Sequence, residues 1–212
     1  MKNKEISQEE VWDALSEQWY HFRQQPFRDV NEELENFSEM KKGKILDIGA
    51  GNCRNLMNFS KRGFECYGVD FSKEMIKQAK KFCKKYDFKV KLKKARAEKL
   101  PFLKNSFDYI LNMATLHHLD KTKQEKAVKE MFRVLKKNGI ALIAVWKKPF
   151  GKEIKEMNVR EYYLAWHIKD KTYWRYYYVF DMKELKNLFQ ESGFKILKEK
   201  EDKNLILLVE KL

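Results

Sequence analysis

The chain has 212 residues, of which 43% are hydrophobic, and this is enough for one domain with a substantial core. Its 45 basic and 31 acidic side chains leave a net charge of +14, which favours a polyanionic partner such as RNA, although Lys-rich surfaces also occur without one. No apolar run is long enough to span a bilayer and the three cysteines have no C-x-x-C spacing, so we expect a cytoplasmic protein with no membrane segment, no disulfide framework and no metal site.

Residues 1–40 form a helical segment that is separate from the pattern that follows. Apolar side chains recur at helical spacing between residues 11 and 22, and Ser7 with Glu10 matches a capping box. Pro26 ends this helix, and a second short helix follows it. We expect this N-terminal segment to bind the substrate or to act as a lid.

Residues 41–212 form the main domain, in which predicted strands alternate with predicted helices. The seven predicted strands are residues 44–48, 66–70, 88–92, 107–113, 140–146, 194–200 and 205–210. The predicted helices are residues 52–62, 73–85, 125–135 and 182–192. The last two strands are joined by a short turn and should pair antiparallel. The predicted fold class is α/β, a doubly wound, Rossmann-like seven-stranded sheet with a terminal antiparallel hairpin.

Residues 147–180 interrupt this alternation with a polar and aromatic insert, in which tyrosines and tryptophans are interleaved with basic side chains. The basic residues are Lys147, Lys148, Lys152, Lys155, Arg160, Lys169, Lys171 and Arg175. Aromatic rings beside lysines suit single-stranded RNA, with its splayed bases and phosphates, although packing within a lid explains the rings equally well. We interpret the insert as a substrate-binding segment.

The turn after the first strand has the features of a nucleotide-binding turn. Gly49 and Gly51 permit a tight turn and a close approach of the backbone to a ligand. Asp70 ends the second strand, where a carboxylate accepts hydrogen bonds from ribose hydroxyls. A dinucleotide dehydrogenase is disfavoured because the third Gly of its G-x-G-x-x-G pattern is missing. Asp47 also disfavours a pyrophosphate and suits a ligand that carries an ammonium and a sulfonium.

Six segments of the main domain resemble the motifs of class I S-adenosylmethionine-dependent methyltransferases. They are residues 46–51, 68–70, 97–102, 106–108, 112–118 and 133–139. The resemblance covers residues 44–212 and implies that family's fold, with S-adenosylmethionine as the cofactor. It implies a cofactor site built from Asp47, Gly49, Ala50, Gly51, Asp70, Phe71, Ala97, Glu98 and Asn112. Two residues depart from the pattern, since Cys53 replaces a frequent third Gly and Arg96 replaces a frequent Asp.

A narrower resemblance links the chain to the tRNA wobble carboxymethyluridine methyltransferases. It rests on residues 15–27, 117–118, 141–146 and 175–180. Arg23 and Pro26 match that family's R-x-x-P, whereas Tyr178 stands where the family has His. These enzymes convert the carboxylate of a modified uridine to a methyl ester, which implies the tRNA anticodon loop as a partner. They typically work with a small zinc-binding activator subunit, and an exposed hydrophobic strip near residues 88–92 would support that partner here.

Four residues outside the cofactor motif are the candidates for binding the acceptor. A carboxylate is ionised at neutral pH, since its reference pKa is about 4, so the enzyme needs no general base and must hold an anion in line with the methyl group. Arg23 and Arg175 are the candidates for holding it, because a guanidinium grips carboxylate or uracil oxygens. His117 is expected to pack on the cofactor or donate to the substrate, and Tyr176 to stack on or bond to the base. Each of the four also has a structural interpretation, as a solvated charge or a packing group.

Two other functions fit the same motifs. A methyltransferase for a small quinone-like or lipid-like acceptor shares every cofactor motif and predicts an apolar pocket under the insert. A non-catalytic RNA-binding subunit predicts no cofactor binding, and the intact turn at residues 47–51 argues against it. We favour the tRNA enzyme, with the small-molecule enzyme as the alternative.

Overall fold

The central feature of the fold is a seven-stranded sheet that carries helices on both faces. The computed structural model describes residues 6–148, 151 and 153–212. Its strands are β1 (Lys44–Ile48), β2 (Glu65–Asp70), β3 (Lys91–Lys94), β4 (Phe107–Met113), β5 (Leu135–Trp146), β6 (Ile154–Glu156), β7 (Glu161–Ile168), β8 (Lys171–Tyr178), β9 (Phe194–Glu201) and β10 (Asn204–Lys211). Its α-helices are α1 (Gln8–Phe22), α2 (Asn31–Ser38), α3 (Met57–Lys61), α4 (Lys73–Lys85), α5 (Lys121–Val134) and α6 (Met182–Glu191).

The strand order of the main sheet is β3-β2-β1-β4-β5-β10-β9. The first five strands in the chain run parallel, and β10 is antiparallel to both β5 and β9. The order reverses between β1 and β4, so a crevice opens at the carboxyl ends of these strands. The predicted seven-stranded α/β sheet and its terminal hairpin are confirmed.

The sheet separates two apolar layers, and the inner strand β5 contributes side chains to both. Ala141, Ile143 and Val145 pack into the layer under α5 and α6, whereas Leu142 and Ala144 pack into the layer under α2, α3 and α4. A parallel strand that is covered on both faces needs a continuous apolar run, which this segment has.

Several boundaries differ from the predictions, among them the start of β5 at Leu135, and three of the differences have local reasons. Helix α5 begins at Lys121, earlier than predicted, because the Asp120 side chain caps it by accepting from the backbone N–H of Lys123. The predicted helix 52–62 is a 3-10 turn followed by the short α3, since Cys53 has a left-handed backbone with φ of 66° and no helix can extend back through it. Strand β3 begins only at Lys91, after Phe88 has packed into the core.

The edge of the sheet at β3 is basic. Lys89, Lys91 and Lys93 are exposed, whereas Phe88 is buried and Leu92 is half-buried. Large apolar side chains are exposed elsewhere on the described surface, for example at Phe22 and Leu103, and not on this edge. An exposed hydrophobic strip near residues 88–92, which would have supported an activator subunit, is therefore not found among the described residues.

The insert forms a second, three-stranded antiparallel sheet, β6-β7-β8, that the sequence did not reveal. Helix α1 lies against it, because the side-chain amide of Gln8 donates to the Trp174 carbonyl and accepts from the backbone N–H of Tyr176, both at 2.9 Å. Trp166 also donates from its indole to Gln18 on α1, at 2.7 Å. We call α1, β7 and β8 together the roof.

A few predicted segments lie partly outside the described residues. They are residues 1–5 of the N-terminal segment and residues 149, 150 and 152 of the insert, which include Lys152. None of the helices in the described part of the chain is long and apolar enough to cross a membrane.

Candidate active site

A cavity of about 360 Å³ lies between the roof and the carboxyl ends of β1, β2 and β4. Cavities of this size accommodate small molecules in many proteins. Below the roof its lining includes Gly49, Ala50, Gly51, Arg54, Asp70, Phe71, Arg96, Ala97, Glu98, Thr115 and His118. The roof contributes Gln8, Trp12, Trp19, Tyr163 and Tyr176.

The turn after β1 is fastened to the end of β2. The backbone N–H groups of Gly49 and Ala50 both donate to the Val69 carbonyl, at 2.9 Å. Asp70 accepts from the N–H of Gly51 at 2.9 Å with one oxygen and from the N–H of Ser72 at 3.0 Å with the other. One carboxylate thus holds two strand-to-helix turns together, and each of its oxygens keeps a lone pair for a ligand.

Replacing Gly49 with alanine should lower the free energy of unfolding by about 3 kcal/mol, because two penalties add. Gly49 has a φ of +74°, and an added Cβ would lie 2.2 Å from Oγ1 of Thr115. Gly51→Ala is the matched control, because its φ is also positive, at +54°, but the nearest atom to its Cβ is Nε1 of Trp19 at 3.5 Å. Urea denaturation of both variants measures the difference, and equal losses would contradict the role given to Thr115.

Asp47 lies beneath this turn, off the cavity wall. It is fully buried, and neither of its carboxylate oxygens has a hydrogen-bond partner among the described residues. Burial, and then the neighbouring charge of Asp70, raise the pKa of Asp47 to about 7, while Arg54 opposes the shift. Burial also raises the pKa of Asp70, to about 6. Because two buried carboxylates lie near each other here, this position favours the binding of a cation.

The affinity for a cationic cofactor should depend on pH through Asp47. Such a ligand binds the ionised form, so its affinity should fall by about tenfold per pH unit below 7 and level off above it. The stability of the ligand-free protein moves in the opposite direction. Asp47 and Asp70 bind protons more tightly in the folded state than at their reference pKa of 3.8, so the free energy of unfolding falls as the pH rises from about 4 to about 7.

Calorimetric titration of the cofactor between about pH 5 and pH 8 checks this dependence. Asp47→Asn should flatten the profile, because the amide does not titrate. A slope that persists in Asp47→Asn would assign the proton to Asp70 and contradict the expectation.

Arg96 and Glu98 occupy the side of the cavity beyond Asp70. Arg96 pairs with Glu9 of α1 at 2.6 Å, and its guanidinium lies 5.7 Å from the centre of the Phe71 ring. Glu98 is largely buried and lines the same wall. The ion pair between Arg96 and Glu9 therefore links α1 of the roof to the cavity wall. Arg96 occupies the position where the methyltransferase pattern frequently has an Asp.

Two further residues predicted for the site, like Asp47, do not line the cavity. Asn112 is fully buried, where its side chain donates to the Ile48 carbonyl and accepts from the N–H of Leu116, and these bonds link the end of β4 to β1 and to the following turn. His117 is also fully buried, where Nδ1 accepts from the N–H of Trp146 and the ring stacks on Tyr177. In both cases the next residue along the chain, Met113 or His118, lines the cavity instead.

His118 lines the cavity in place of His117. Its Nδ1 lies 2.9 Å from the Tyr176 carbonyl, which can only accept, so Nδ1 carries the proton and Nε2 is an acceptor. Burial lowers the pKa of His118 to about 3 and holds the pKa of His117 well below its usual value. Both rings are therefore neutral at physiological pH.

Three arginines gather at the end of the cavity nearest Trp19. Arg54 lines it, whereas Arg23 lies with its guanidinium 4.9 Å from the Trp19 ring centre and Arg175 is buried beside Trp166, 4.7 Å from that ring centre. Burial, and then the positive charge of Arg23, lower the pKa of Arg54 to about 10, and the same two causes lower the pKa of Arg175.

None of these three arginines is neutralised by an ion pair within the described part of the chain. Arg54 donates to the Gln25 carbonyl and Arg175 to the Tyr177 hydroxyl, and Nε of Arg175 has no partner there. The arginines that do pair with carboxylates are Arg62, Arg96, Arg133 and Arg160. We call Arg23, Arg54 and Arg175 the arginine cluster.

The sequence singled out Arg23, Arg175 and Tyr176, and the structure brings them to the same end of the molecule. Tyr176 reaches the cavity, with its hydroxyl donating to Glu161 at 2.6 Å, whereas neither Arg23 nor Arg175 lines the wall. The sequence missed Arg54, Trp12 and Trp19. The two tryptophans were visible as one face of a helix, but nothing local said that this face covers a ligand site.

Comparison with known proteins decides the family. A model of the methyltransferase domain matches residues 46–143. A methyltransferase-family protein of Encephalitozoon cuniculi is 31% identical over 176 residues, which cover 79% of this chain and 78% of that protein. The chain belongs to the class I S-adenosylmethionine-dependent methyltransferases. The cofactor of this methyltransferase is accordingly S-adenosylmethionine.

Two further relatives differ in the substrates that their names state. The ubiquinone biosynthesis O-methyltransferase of Pelagibacter ubique is 35% identical over 127 residues, 60% of this methyltransferase and 52% of the relative. The tRNA (carboxymethyluridine(34)-5-O)-methyltransferase of Schizosaccharomyces pombe is 28% identical over 129 residues, 50% of this methyltransferase and 57% of the relative. This methyltransferase thus spans about half the length of both.

Solved structures share the fold. PH0226 of Pyrococcus horikoshii superposes with a TM-score of 0.74 at 23% identity, covering 88% of this methyltransferase and 91% of that chain. A chain from the Haloferax volcanii complex between the Trm112 methyltransferase activator and a methyltransferase superposes with a TM-score of 0.72 at 16% identity, covering 96% and 97%. The fold therefore extends over the roof as well as the main sheet.

Proposed function

We propose that this methyltransferase converts the carboxylate of a carboxymethyl-modified wobble uridine in tRNA to its methyl ester. The observation that carries the proposal is the arginine cluster, three guanidinium groups without ion pairs beside a cofactor-sized cavity. Unpaired guanidinium groups in a partly buried site favour an anion, and a carboxylate matches their fork geometry. The S. pombe relative named for this reaction supports the same substrate.

The cavity residues fit the cofactor that this reaction needs. Asp70 retains lone pairs for two ribose hydroxyls, and Asp47, buried beneath the turn without a hydrogen-bond partner among the described residues, adds negative charge that suits the positive charges at the methionine end. Phe71, Ala97 and Glu98 are proposed to hold the adenine, since they line the wall beyond Asp70. When bound, the cofactor supplies the electrophilic methyl group on its sulfonium.

The protein's contribution to the transfer is to hold the acceptor carboxylate in line with that methyl group. Arg54 and Arg23 are proposed to grip the oxygen that does not react, or the uracil carbonyls, so that the attacking oxygen keeps its lone pair. Arg175, buried under Trp166, adds to the positive potential from behind. Tyr176 offers its ring to the base from the roof.

The protonation states of the two histidines agree with an acceptor that needs no deprotonation. His118 has a pKa of about 3 and His117 is buried and neutral, so neither is matched to removing a proton at neutral pH. A phenol or amine acceptor requires such a base, whereas a carboxylate is already ionised. This difference favours the tRNA acceptor over a quinone.

The proposed partners are the tRNA anticodon loop and a small zinc-binding activator subunit. The net charge of +14 supports the first, because phosphate contacts dominate RNA affinity. The Haloferax complex supports the second through its shared fold. The basic edge at β3 lacks the exposed apolar strip that would have supported an activator there, so we propose no location for that subunit.

The decisive experiment is methyl transfer from radiolabelled cofactor to tRNA that carries carboxymethyluridine at the wobble position, with and without the activator. The same tRNA with unmodified uridine is the matched control. We expect label only in the carboxymethyl tRNA, and release of that label by mild alkali, which hydrolyses a methyl ester. Intact cofactor binding with no transfer under either condition would contradict the proposal.

A small-molecule acceptor is the second candidate, and the Pelagibacter relative favours it. Much of the cavity wall is apolar, with Trp12, Trp19 and Met113 among its residues, which suits a quinone ring. Transfer to a demethylated quinone but not to tRNA would select this candidate.

A further inference from the structure

Helix α4 carries a row of lysines that the cofactor site does not use. Its inner side buries Met75, Ala79 and Phe82, and none of its lysines lines the cavity. All six of its lysines are exposed: Lys73, Lys77, Lys80, Lys81, Lys84 and Lys85. Lys77 pairs with Glu74, the one acidic residue of the helix, whereas the other five have no ion pair within the described part of the chain. We call these six lysines the lysine face.

The charges of the surface helices are unevenly distributed, and α4 is the extreme case. Helix α1 has four acidic residues and no lysine or arginine, and α2 has three acidic residues and no basic one. Helix α6 has two of each sign, which is the mixture expected of a solvated surface. Helix α5 has five basic and two acidic residues, whereas α4 has six lysines and one glutamate in 13 residues. Solvation alone therefore does not explain α4.

The lysine face makes the helix less stable. Side chains three or four positions apart are neighbours on a helix, so Lys73 repels Lys77 and Lys80 repels Lys84. The negative end of the helix dipole favours Lys84, but Lys73 lies at the positive end, where a lysine is unfavourable. Helix stability thus does not account for the face, whereas a bound polyanion relieves the repulsion along its whole length.

The C-terminal end of α4 lies beside the segment that carries Arg23 of the arginine cluster. Helices α1 and α4 run side by side in the same direction. Near the start of α4, the N–H of Glu74 donates to Asp13 at 3.2 Å, and at its end the Lys85 ammonium donates to the side-chain carbonyl of Gln24 at 2.9 Å. Gln24 directly follows Arg23. The lysine face therefore begins next to this segment and extends for about 20 Å along the 13 residues of α4.

We propose that the lysine face of α4 binds the phosphate backbone of the tRNA, while the arginine cluster holds the modified nucleotide. The inference rests on the proposed tRNA acceptor and names the surface that binds the rest of that RNA. Exposed ammonium groups without ion pairs are suited to phosphates, and phosphate contacts supply much of the affinity for a nucleic acid. Such contacts position the RNA and do not read its sequence.

The test compares two double variants that remove the same charge at the same spacing. Lys81→Gln/Lys84→Gln removes two lysines from the lysine face. Lys126→Gln/Lys129→Gln removes two exposed lysines from α5, which packs on the opposite side of the sheet. Glutamine has a helix propensity close to that of lysine, so both variants should fold. In thermal unfolding at low salt, the α4 variant should melt at the wild-type temperature or above it, because repulsion has been removed.

Binding of unmodified tRNA is measured at several salt concentrations, separately from methyl transfer. We expect the α4 variant to raise the Kd for tRNA about tenfold and to reduce the slope of log K against log salt by about 1.5, because two phosphate contacts are lost. The α5 variant should bind like the wild type. With carboxymethyl tRNA, the α4 variant should raise KM and leave kcat within about twofold, because its lysines do not touch the reacting carboxylate.

The outcomes separate this proposal from the proposed function. Equal tRNA affinities and equal salt slopes in the two variants would overturn the lysine face as the binding surface, and wild-type transfer to carboxymethyl tRNA would still stand. Binding that only the α4 variant loses, with no transfer by the wild type, would support the surface and contradict the ester-forming function. A wild-type protein that does not bind tRNA would overturn both.

Discussion

Replacing Asp70 with asparagine should weaken the binding of S-adenosylmethionine about 100-fold, roughly 2.7 kcal/mol. The carboxylate accepts from two backbone N–H groups and is proposed to accept from two ribose hydroxyls. An amide has one acceptor oxygen, so its NH2 group must face either the Gly51 or the Ser72 N–H, and donor then opposes donor. Calorimetric titration of the cofactor measures the loss.

Asp13→Asn is the matched control for this change. Asp13 lies on α1 and its Oδ1 accepts from the hydroxyl of Ser72 and the N–H of Glu74, so it touches the same cap without lining the cavity. An amide oxygen can keep both of those bonds, and the affinity should stay close to that of the wild type. If Asp13→Asn loses as much affinity as Asp70→Asn, the loss is caused by disruption of the α4 cap and not by lost contacts with the ribose.

Replacing Arg23 with alanine should lower kcat/KM for methyl transfer to carboxymethyl tRNA by about 100-fold to 1,000-fold. Arg23 lies at the end of α1 beside Trp19, in the arginine cluster, and its charge is felt at both Arg54 and Arg175. It does not line the cavity, so cofactor affinity should remain nearly unchanged. Transfer kinetics and cofactor titration, performed on the same preparation, separate the two effects.

Arg28→Ala provides the comparison, because Arg28 is exposed and lies just beyond the same helix. Loss of one surface charge should leave kcat within a few-fold of the wild type. A variant of Arg23 that binds the cofactor poorly, or that transfers at the rate of Arg28→Ala, would remove Arg23 from acceptor binding.

The parts of the fold that could be predicted are those whose causes lie close together in the chain. The turn after β1 is an example, since its glycines and Asp47 adjoin the strand they end. The cap on α5 is another local feature, yet it was missed, because Asp120 begins that helix before its apolar pattern starts. Periodicity detects the middle of a helix better than its end.

The sequence did not predict those parts of the site whose geometry depends on residues far apart in the chain. His117 and His118 are adjacent in the chain, and the sequence alone does not say which of the two side chains faces the cavity. In the structure it is His118, whose ring is held by a hydrogen bond to the carbonyl of Tyr176. The second sheet was missed because both of its faces are partly covered, so tyrosines follow one another without alternation. Its contact with Gln8 joins residues 166 positions apart. No local pattern encodes such a pairing.

The roof has a practical consequence for spectroscopy. The chain has five tryptophans, and they lie in the roof or at the end of β5 beside it: Trp12, Trp19, Trp146, Trp166 and Trp174. Trp12 and Trp19 also line the cavity. Intrinsic fluorescence should therefore respond to changes at the roof and the cavity, and it should respond little to events at the far edges of the main sheet.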